Sequence, residues 1–260
     1  MRKSQRQKMI KPNRQSKSNG VTFDKLTLHK LDWLEWTTIG LALWFLFFPK
    51  PYEILLGILL VIPIVGLLLN GLHKPSMATL VEISTDKDGD DKYDVADFID
   101  VAAWVILVRV LKDYEFESTY SMIIPGTIAC GIILTILFLT HKLIANSTRN
   151  KWWIYTSLIF NVSLYSYAGT YAANCTYDYS KPKVYQTEVL DKTIYKSRKG
   201  SRTYYVKVAP WGHHLDKEEI SVARVQYEEL TIGDKIKIDL KDGLFNIPWY
   251  YIERKTEWTE

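Results

Sequence analysis

YEILLGILLVIPIVGLLLNGL, residues 52–72, and YSMIIPGTIACGIILTILFLT, residues 120–140, are the two stretches that decide the fold. An α-helix of about 20 apolar residues spans the roughly 30 Å hydrocarbon layer of a bilayer, and both stretches reach that length. Because lipid supplies no hydrogen-bonding partners, a crossing segment of this kind must be helical. The two stretches therefore predict an integral membrane protein.

Three further segments extend this prediction to a bundle. Residues 33–48 are apolar with tryptophans at the start, and residues 152–173 are more polar. Residues 96–112 have an apolar core limited to Val101–Val108, which is short for a crossing and suits an interfacial or re-entrant helix as well. We expect an α-helical membrane bundle over residues 32–174, with four transmembrane helices plus a fifth crossing, re-entrant or interfacial helix: 33–48, 52–72, 96–112, 120–140 and 152–173.

Residues 1–31 form a basic leader in which Asp24 is the only acid. It has no apolar core followed by a small-residue cleavage site, so we do not expect a cleavable signal peptide. The basic run abuts a membrane helix and is not interleaved with aromatic residues. These features favour a disordered cytoplasmic segment that faces anionic lipid over a nucleic-acid-binding segment.

The distribution of basic residues also predicts sidedness. Positive-inside bias places the leader, residues 73–92 and residues 142–151 in the cytoplasm. If residues 96–112 complete a crossing, the C-terminal domain lies outside the cytoplasm, which is the placement we favour. If that segment only dips into the membrane, the domain is cytoplasmic.

The loop at residues 84–97 has the spacing of a candidate calcium site. Its aspartates resemble the ligand positions of EF-hand and dockerin loops: Asp86, Asp88, Asp90, Asp94 and Asp97. Asp91 stands where such a loop needs glycine, and Asp97 is shorter than the usual glutamate. A solvated acidic turn is the simpler interpretation, with calcium as the alternative. No other cofactor is predicted.

Arg109 is the notable charge within the predicted bundle. Its long side chain either reaches the membrane interface or pairs with a buried acid: Glu53, Asp97 or Asp100. Because intramembrane polar groups can line an ion path, Arg109, Glu53 and Asn161 are candidate pathway residues. They carry the alternative hypothesis of a small ion channel or solute transporter, with the acidic loop as a cation sensor.

Residues 177–254 change to a strand pattern. Ile236, Ile238 and Leu240 alternate with polar residues, the period of a half-buried strand. Four similar runs occur at residues 184–189, 203–208, 220–222 and 249–252, with glycine-containing turns between several of them. We expect a small all-β domain, an OB-like or SH3-like barrel.

The motifs YYVKVAPWG (204–212), Gly233-Asp234, IPWY (247–250) and RVLKD (109–113) resemble those of uncharacterised bacterial multi-pass integral membrane proteins with a C-terminal β domain. That family has no known activity, so the resemblance transfers no functional residue. It implies a bacterial inner-membrane setting.

His213 and His214 are the strongest candidates for chemistry in the C-terminal domain. With the carboxylates that follow them they could bind a metal or act as acid and base. Adjacent strand residues point to opposite faces, however, and a polar loop is normally just solvated. The same region supplies a candidate interaction surface, for which core or membrane-interface packing is the alternative: Trp211, His213, His214, Trp249 and Tyr250.

No nucleophile elbow, phosphate-binding glycine loop or paired-cysteine motif occurs in the sequence. We therefore expect a non-enzymatic inner-membrane protein, acting as an anchor, accessory or assembly subunit of a cell-envelope complex. Its expected partners are the lipid bilayer and, through the β domain, another protein or a second copy of the chain.

Overall fold

The computed structural model describes residues 31–85, 91–118, 120–146, 148, 150–197, 200 and 202–253. The predicted basic leader therefore lies outside the described residues, except for Leu31. Asp86, Asp88 and Asp90 also lie outside them.

Five helices form the N-terminal part of the described chain: α1 Asp32–Phe47, α2 Tyr52–Asn70, α3 Asp97–Asp113, α4 Ile123–Thr140 and α5 Lys151–Thr176. Successive helices run in opposite directions. The start of α2 meets the end of α3 where Tyr52 donates a hydrogen bond to Asp113, and the end of α2 meets the residue after α4 where Asn70 contacts His141. A short helix, α6 Arg224–Glu229, follows in the C-terminal part.

The predicted bundle of four transmembrane helices plus a fifth crossing, re-entrant or interfacial helix is wrong. Among the six described α-helices, two segments are long and apolar enough to cross a membrane: Tyr52–His73 and Tyr120–Thr140. With 16 residues, α1 is about 24 Å long, less than the roughly 30 Å layer. α3 carries five charged side chains, and α5 is long but too polar over its 26 residues.

The two ends of the helical part differ. At one end, the loop after α2 and the loop after α4 meet, because Met77 N–H donates to Lys142 O at 2.9 Å. A hairpin of β1 Val81–Thr85 and β2 Asp91–Val95 lies at this end, where Ala96 N–H donates to Leu80 O. At the other end, Tyr177, which follows α5, donates to Glu53 O at the start of α2. The chain enters the β domain from that second end.

The C-terminal strands are β4 Lys183–Lys196, β5 Arg202–Val208, β6 Glu218–Val222, β7 Lys235–Lys241 and β8 Trp249–Ile252. A two-residue strand from the connection between α3 and α4, β3 Glu115–Phe116, joins them in one antiparallel sheet of order β3-β8-β7-β4-β5-β6. In β7, Ile236, Ile238 and Leu240 are buried as predicted, but Asp239 between them is buried too, so the expected alternation holds only in part.

This sheet is nearly closed and is referred to below as the barrel. The carboxylate of Glu115 in β3 lies within hydrogen-bonding reach of the backbone N–H of Ser221 in β6, so the first and last strands approach each other. A β-rich domain is present, as predicted. It is not an OB-like or SH3-like barrel of C-terminal strands alone, because one edge strand comes from between two helices.

The barrel and the helices share a core. Phe116 of β3 stacks on Tyr171 of α5 with ring centroids 3.9 Å apart, and Trp249 of β8 packs edge-on against Tyr114 at 5.1 Å. Ile247 and Trp249 belong to the same buried apolar cluster as the helices. The barrel is therefore fixed against the bundle by packing as well as by strand pairing.

Hydrogen bonds from the end of α5 complete this connection. The fully buried Asn174 side chain accepts from Phe245 N–H and donates to Ile247 O, both at 2.8 Å. Asp178 accepts from Gly243 N–H at 3.0 Å and from Trp249 Nε1–H at 3.1 Å. We call Asn174, Asp178 and the turn at residues 243–249 the joint.

Candidate functional site

The seam where β3 approaches β6 gathers several titratable side chains, including the two histidines singled out in the sequence. They come from three places: the connection between α3 and α4, the loop between β5 and β6, and the facing strands. We call this group the seam cluster: Glu115, Glu117, Trp211, His213, His214, Glu218 and Tyr250. In the sequence Glu115 and Glu117 lie 94 to 135 residues before the other members, and the pairing of β3 with β8 brings them together.

The β5–β6 loop makes a tight turn that places both histidines on one side. Trp211 and His214 exchange backbone hydrogen bonds, Trp211 N–H to His214 O at 3.1 Å and the reverse at 2.8 Å. Gly212 has φ +54°, a left-handed conformation that residues with a Cβ rarely adopt. The His213 and His214 rings consequently lie 4.6 Å apart. The expectation that adjacent histidines point to opposite faces is wrong, because they lie in a turn.

Each histidine faces a different glutamate. His213 Nε2 is in direct contact with the Glu117 carboxylate, and His214 Nδ1 lies 3.5 Å from Glu218 Oε2. The His214 ring also stacks on Trp211, with centroids 4.3 Å apart and an interplanar angle of 23°. These contacts fix the orientation of the His214 ring.

Glu218 is the centre of the hydrogen bonding. Its Oε2 accepts from Trp211 Nε1–H at 3.2 Å, and its Oε1 accepts from Tyr250 O–H at 2.9 Å. Burial and then the nearby Glu218 charge raise the pKa of Glu115 to about 7, although the Ser221 N–H opposes this rise. Burial and the Glu218 charge also raise the pKa of Tyr250, which therefore stays a hydrogen-bond donor at neutral pH. Acidic groups thus crowd the seam, an environment that favours a cation.

A metal ion is what this arrangement could hold. One ligand atom each from Glu117, His213 and His214 lies within 4.8 Å of the others. Imidazole nitrogen and carboxylate oxygen together suit Zn²⁺ and related transition metals. Sequence reasoning missed Glu117, and the only signal for it was the acidic segment that precedes α4.

The aromatic members of the predicted interaction surface are not at the surface. Trp211, Trp249 and Tyr250 are all less than a tenth exposed, since they fill the barrel or its contact with the helices. His213 is exposed and His214 only partly. Core packing, the alternative interpretation, is the correct one for the three aromatic residues.

The candidate calcium residues are only partly described. Asp94 lies on β2 and Asp97 is the first residue of α3, next to Glu82 of β1. Burial, followed by the Asp94 and Glu82 charges, raises the pKa of Asp97. Because residues 91–95 pair with residues 81–85 in a hairpin, Asp94 stands on a strand and not in a loop wrapped around an ion. Calcium binding here stays the untested alternative to a solvated acidic turn.

Arg109, Glu53 and Asn161 are not brought together. The buried Arg109 forms an ion pair of 2.7 Å with Asp113, one turn along α3, and does not pair with Glu53, Asp97 or Asp100. Its guanidinium lies over the rings of Phe45 and Tyr52. Asn161 donates to Ser157 O within α5. The Arg109 charge is therefore neutralised locally, which is what a structural ion pair does.

Comparison with protein families, with curated proteins and with solved structures finds no match to this chain. The geometry of the molecule is thus what supports any proposal about its function.

Proposed function

We propose that this protein is a non-enzymatic bacterial inner-membrane protein that holds a β barrel in a fixed orientation, where the barrel binds a protein partner or a second copy of the chain. It serves as an anchor, accessory or assembly subunit of a cell-envelope complex. The observation that carries the proposal is the fixed mounting of the barrel, which takes one of its strands from the connection between α3 and α4.

The outward side chains of the candidate spans support a membrane setting. The apolar stretch of Tyr52–His73 is 50% buried and that of Tyr120–Thr140 is 22% buried, whereas a core helix of a soluble protein would be mostly buried. Large apolar side chains are exposed along α4: Ile124, Ile128, Ile132, Phe138 and Leu139. A continuous exposed apolar surface of this kind marks contact with lipid or with another protein.

Tryptophans and basic residues support an orientation. Trp33 and Trp36 at the start of α1, and Trp152 and Trp153 at the start of α5, are all exposed at the end away from the barrel. Lys74, Lys142 and Lys151 lie at this same end. Interfacial tryptophan and cytoplasmic lysine are typical of membrane proteins, so we place this end at the cytoplasmic face and the barrel outside the cytoplasm.

Apolar side chains on the outside of the barrel are the candidate contacts for the partner. Leu215, Val225 and Ile232 are each more than 60% exposed, although the barrel has a buried core of its own. Single exposed apolar side chains are common on protein surfaces. They are also the side chains that a bound protein would contact.

Photo-crosslinking in living cells tests the proposal. A photoreactive residue introduced separately at Leu215, Val225 and Ile232 should give adducts of one common mass from at least two positions. A second copy of the chain would add about another 30.3 kDa. Lys142, exposed at the opposite end, is the matched control and should give no such adduct. Barrel positions that yield no protein adduct would contradict the proposal.

A further inference from the structure

The convergence of Glu117, His213 and His214 is not explained by the ion pair within it. Contact with Glu117 accounts for His213. His214 is different, because its Nε2 is buried and has no hydrogen-bond partner among the described residues. An orphaned buried nitrogen is costly unless something occupies the space in front of it.

The contact on the Nδ1 side of the His214 ring favours the tautomer whose Nε2 can bind a metal. Nδ1 faces Glu218 Oε2 at 3.5 Å, so a proton on Nδ1 is stabilised and Nε2 keeps its lone pair. Metal-ligating histidines commonly have a carboxylate on the side of their other ring nitrogen, and Glu218 occupies that side of His214 at the longer distance of 3.5 Å. Trp211 Nε1–H and Tyr250 O–H hold Glu218 itself in place.

We propose that Glu117, His213 and His214 bind one divalent transition-metal ion, with Zn²⁺ as the metal that best fits the ligand set. Two imidazole nitrogens and one carboxylate oxygen are a Zn²⁺ set with a fourth position left for water. Calcium and magnesium prefer oxygen ligands throughout and fit less well.

The distances allow this with a small adjustment. Zn²⁺ bonds of about 2.0–2.2 Å hold tetrahedral ligand atoms roughly 3.3–3.5 Å apart. The three ligand atoms lie within 4.8 Å of one another. The His213 side chain is 61% exposed and has room to adjust its rotamer while keeping its contact with Glu117, whose side chain is only 11% exposed.

Such an ion joins two parts of the fold. Glu117 belongs to the connection between α3 and α4, and the two histidines belong to the loop between β5 and β6. The metal therefore closes the seam of the barrel and strengthens its attachment to the helices. This inference is independent of what the barrel binds.

The experiment uses the full chain without a polyhistidine tag, purified in a mild detergent and stripped with a chelator. Isothermal titration with Zn²⁺ should show one site, and Co²⁺ should give the visible absorption of a tetrahedral centre. Zn²⁺ should also raise the melting temperature. His213→Ala and Glu117→Gln should each weaken Zn²⁺ binding at least tenfold, and Glu218→Gln by roughly 10–100-fold.

His73→Ala is the matched control, because His73 is exposed and lies at the far end of the bundle. That variant should bind Zn²⁺ as the unmodified chain does. His213 is the first ligand to replace, since its loss opens no core. Either of two results would overturn the proposal: no binding at one equivalent of Zn²⁺, or unchanged binding after both His213→Ala and Glu117→Gln.

Discussion

Gly243→Ala should destabilise the protein by about 2–5 kcal/mol, the sum of a conformational cost and a steric cost. Gly243 has φ +79°, and a left-handed residue with a Cβ costs about 1–2 kcal/mol. The added Cβ would also lie 2.4 Å from Ile247 O and 2.5 Å from the Asn174 amide. Neither group can easily move, because both belong to the joint. Thermal unfolding in detergent should show a melting temperature lower by on the order of 10 °C.

Gly233→Ala is the matched control. Gly233 has φ +90°, but no heavy atom lies within 4 Å of the position that a Cβ would take, so the variant bears the conformational cost alone. We expect it to lower stability by about 1–2 kcal/mol. If the two variants unfold at the same temperature, the close approach of Gly243 to Ile247 O and the Asn174 amide is not present in solution.

Asn174→Ala should destabilise the protein by a similar amount. The substitution leaves two backbone groups without their partner, Phe245 N–H and Ile247 C=O. Each unpaired group costs about 1–3 kcal/mol, so the total is about 2–6 kcal/mol, with the smaller share from the part-buried Phe245 N–H. Thermal unfolding measures the loss, and limited proteolysis should show earlier cleavage in the turn at residues 243–249.

Asn146→Ala serves as the control for Asn174→Ala. Asn146 is exposed and accepts a hydrogen bond from Lys151, so its removal should change stability by less than about 0.5 kcal/mol. Combining Asn174→Ala with Gly243→Ala should cost less than the sum, because the double variant lacks one of the two groups that the new Cβ strikes. Strict additivity would show that the two residues do not share the joint.

Local patterns in the sequence predict part of this fold well. The spacing of Ile236, Ile238 and Leu240 predicts strand β7 and the face of it that is buried. The apolar runs at residues 52–72 and 120–140 give the two candidate spans. The first pattern is a periodicity and the second is a composition. Each can be recognised from one continuous segment without knowing its contacts.

The errors arise where contacts join distant segments. A two-residue strand such as β3 has no periodicity, so nothing near Glu115 indicates that it pairs with Tyr250. The short α1 and the charged α3 resemble membrane helices in sequence, because each has an apolar core and stands near a long apolar run. Apolar side chains of these helices are buried by packing within the bundle, for example Phe45 of α1 and Ile106 of α3.

The candidate site shows the same limit. The adjacent histidines are visible in the sequence, but the turn at Gly212 that aligns them depends on backbone geometry. Glu117 enters the site only through the pairing of β3 with β8. The residue types of Trp211, Trp249 and Tyr250 suggest an interaction surface. Their burial shows instead that they pack inside the protein.

Fractionation of cells that express the full chain tests the central claim, that Tyr52–His73 and Tyr120–Thr140 hold the protein in a bilayer. Membranes are washed with alkaline carbonate, which removes proteins bound only to the surface. We predict that the chain stays in the membrane pellet and leaves it only with detergent. Recovery of the chain as a monodisperse protein in the detergent-free supernatant would contradict this account.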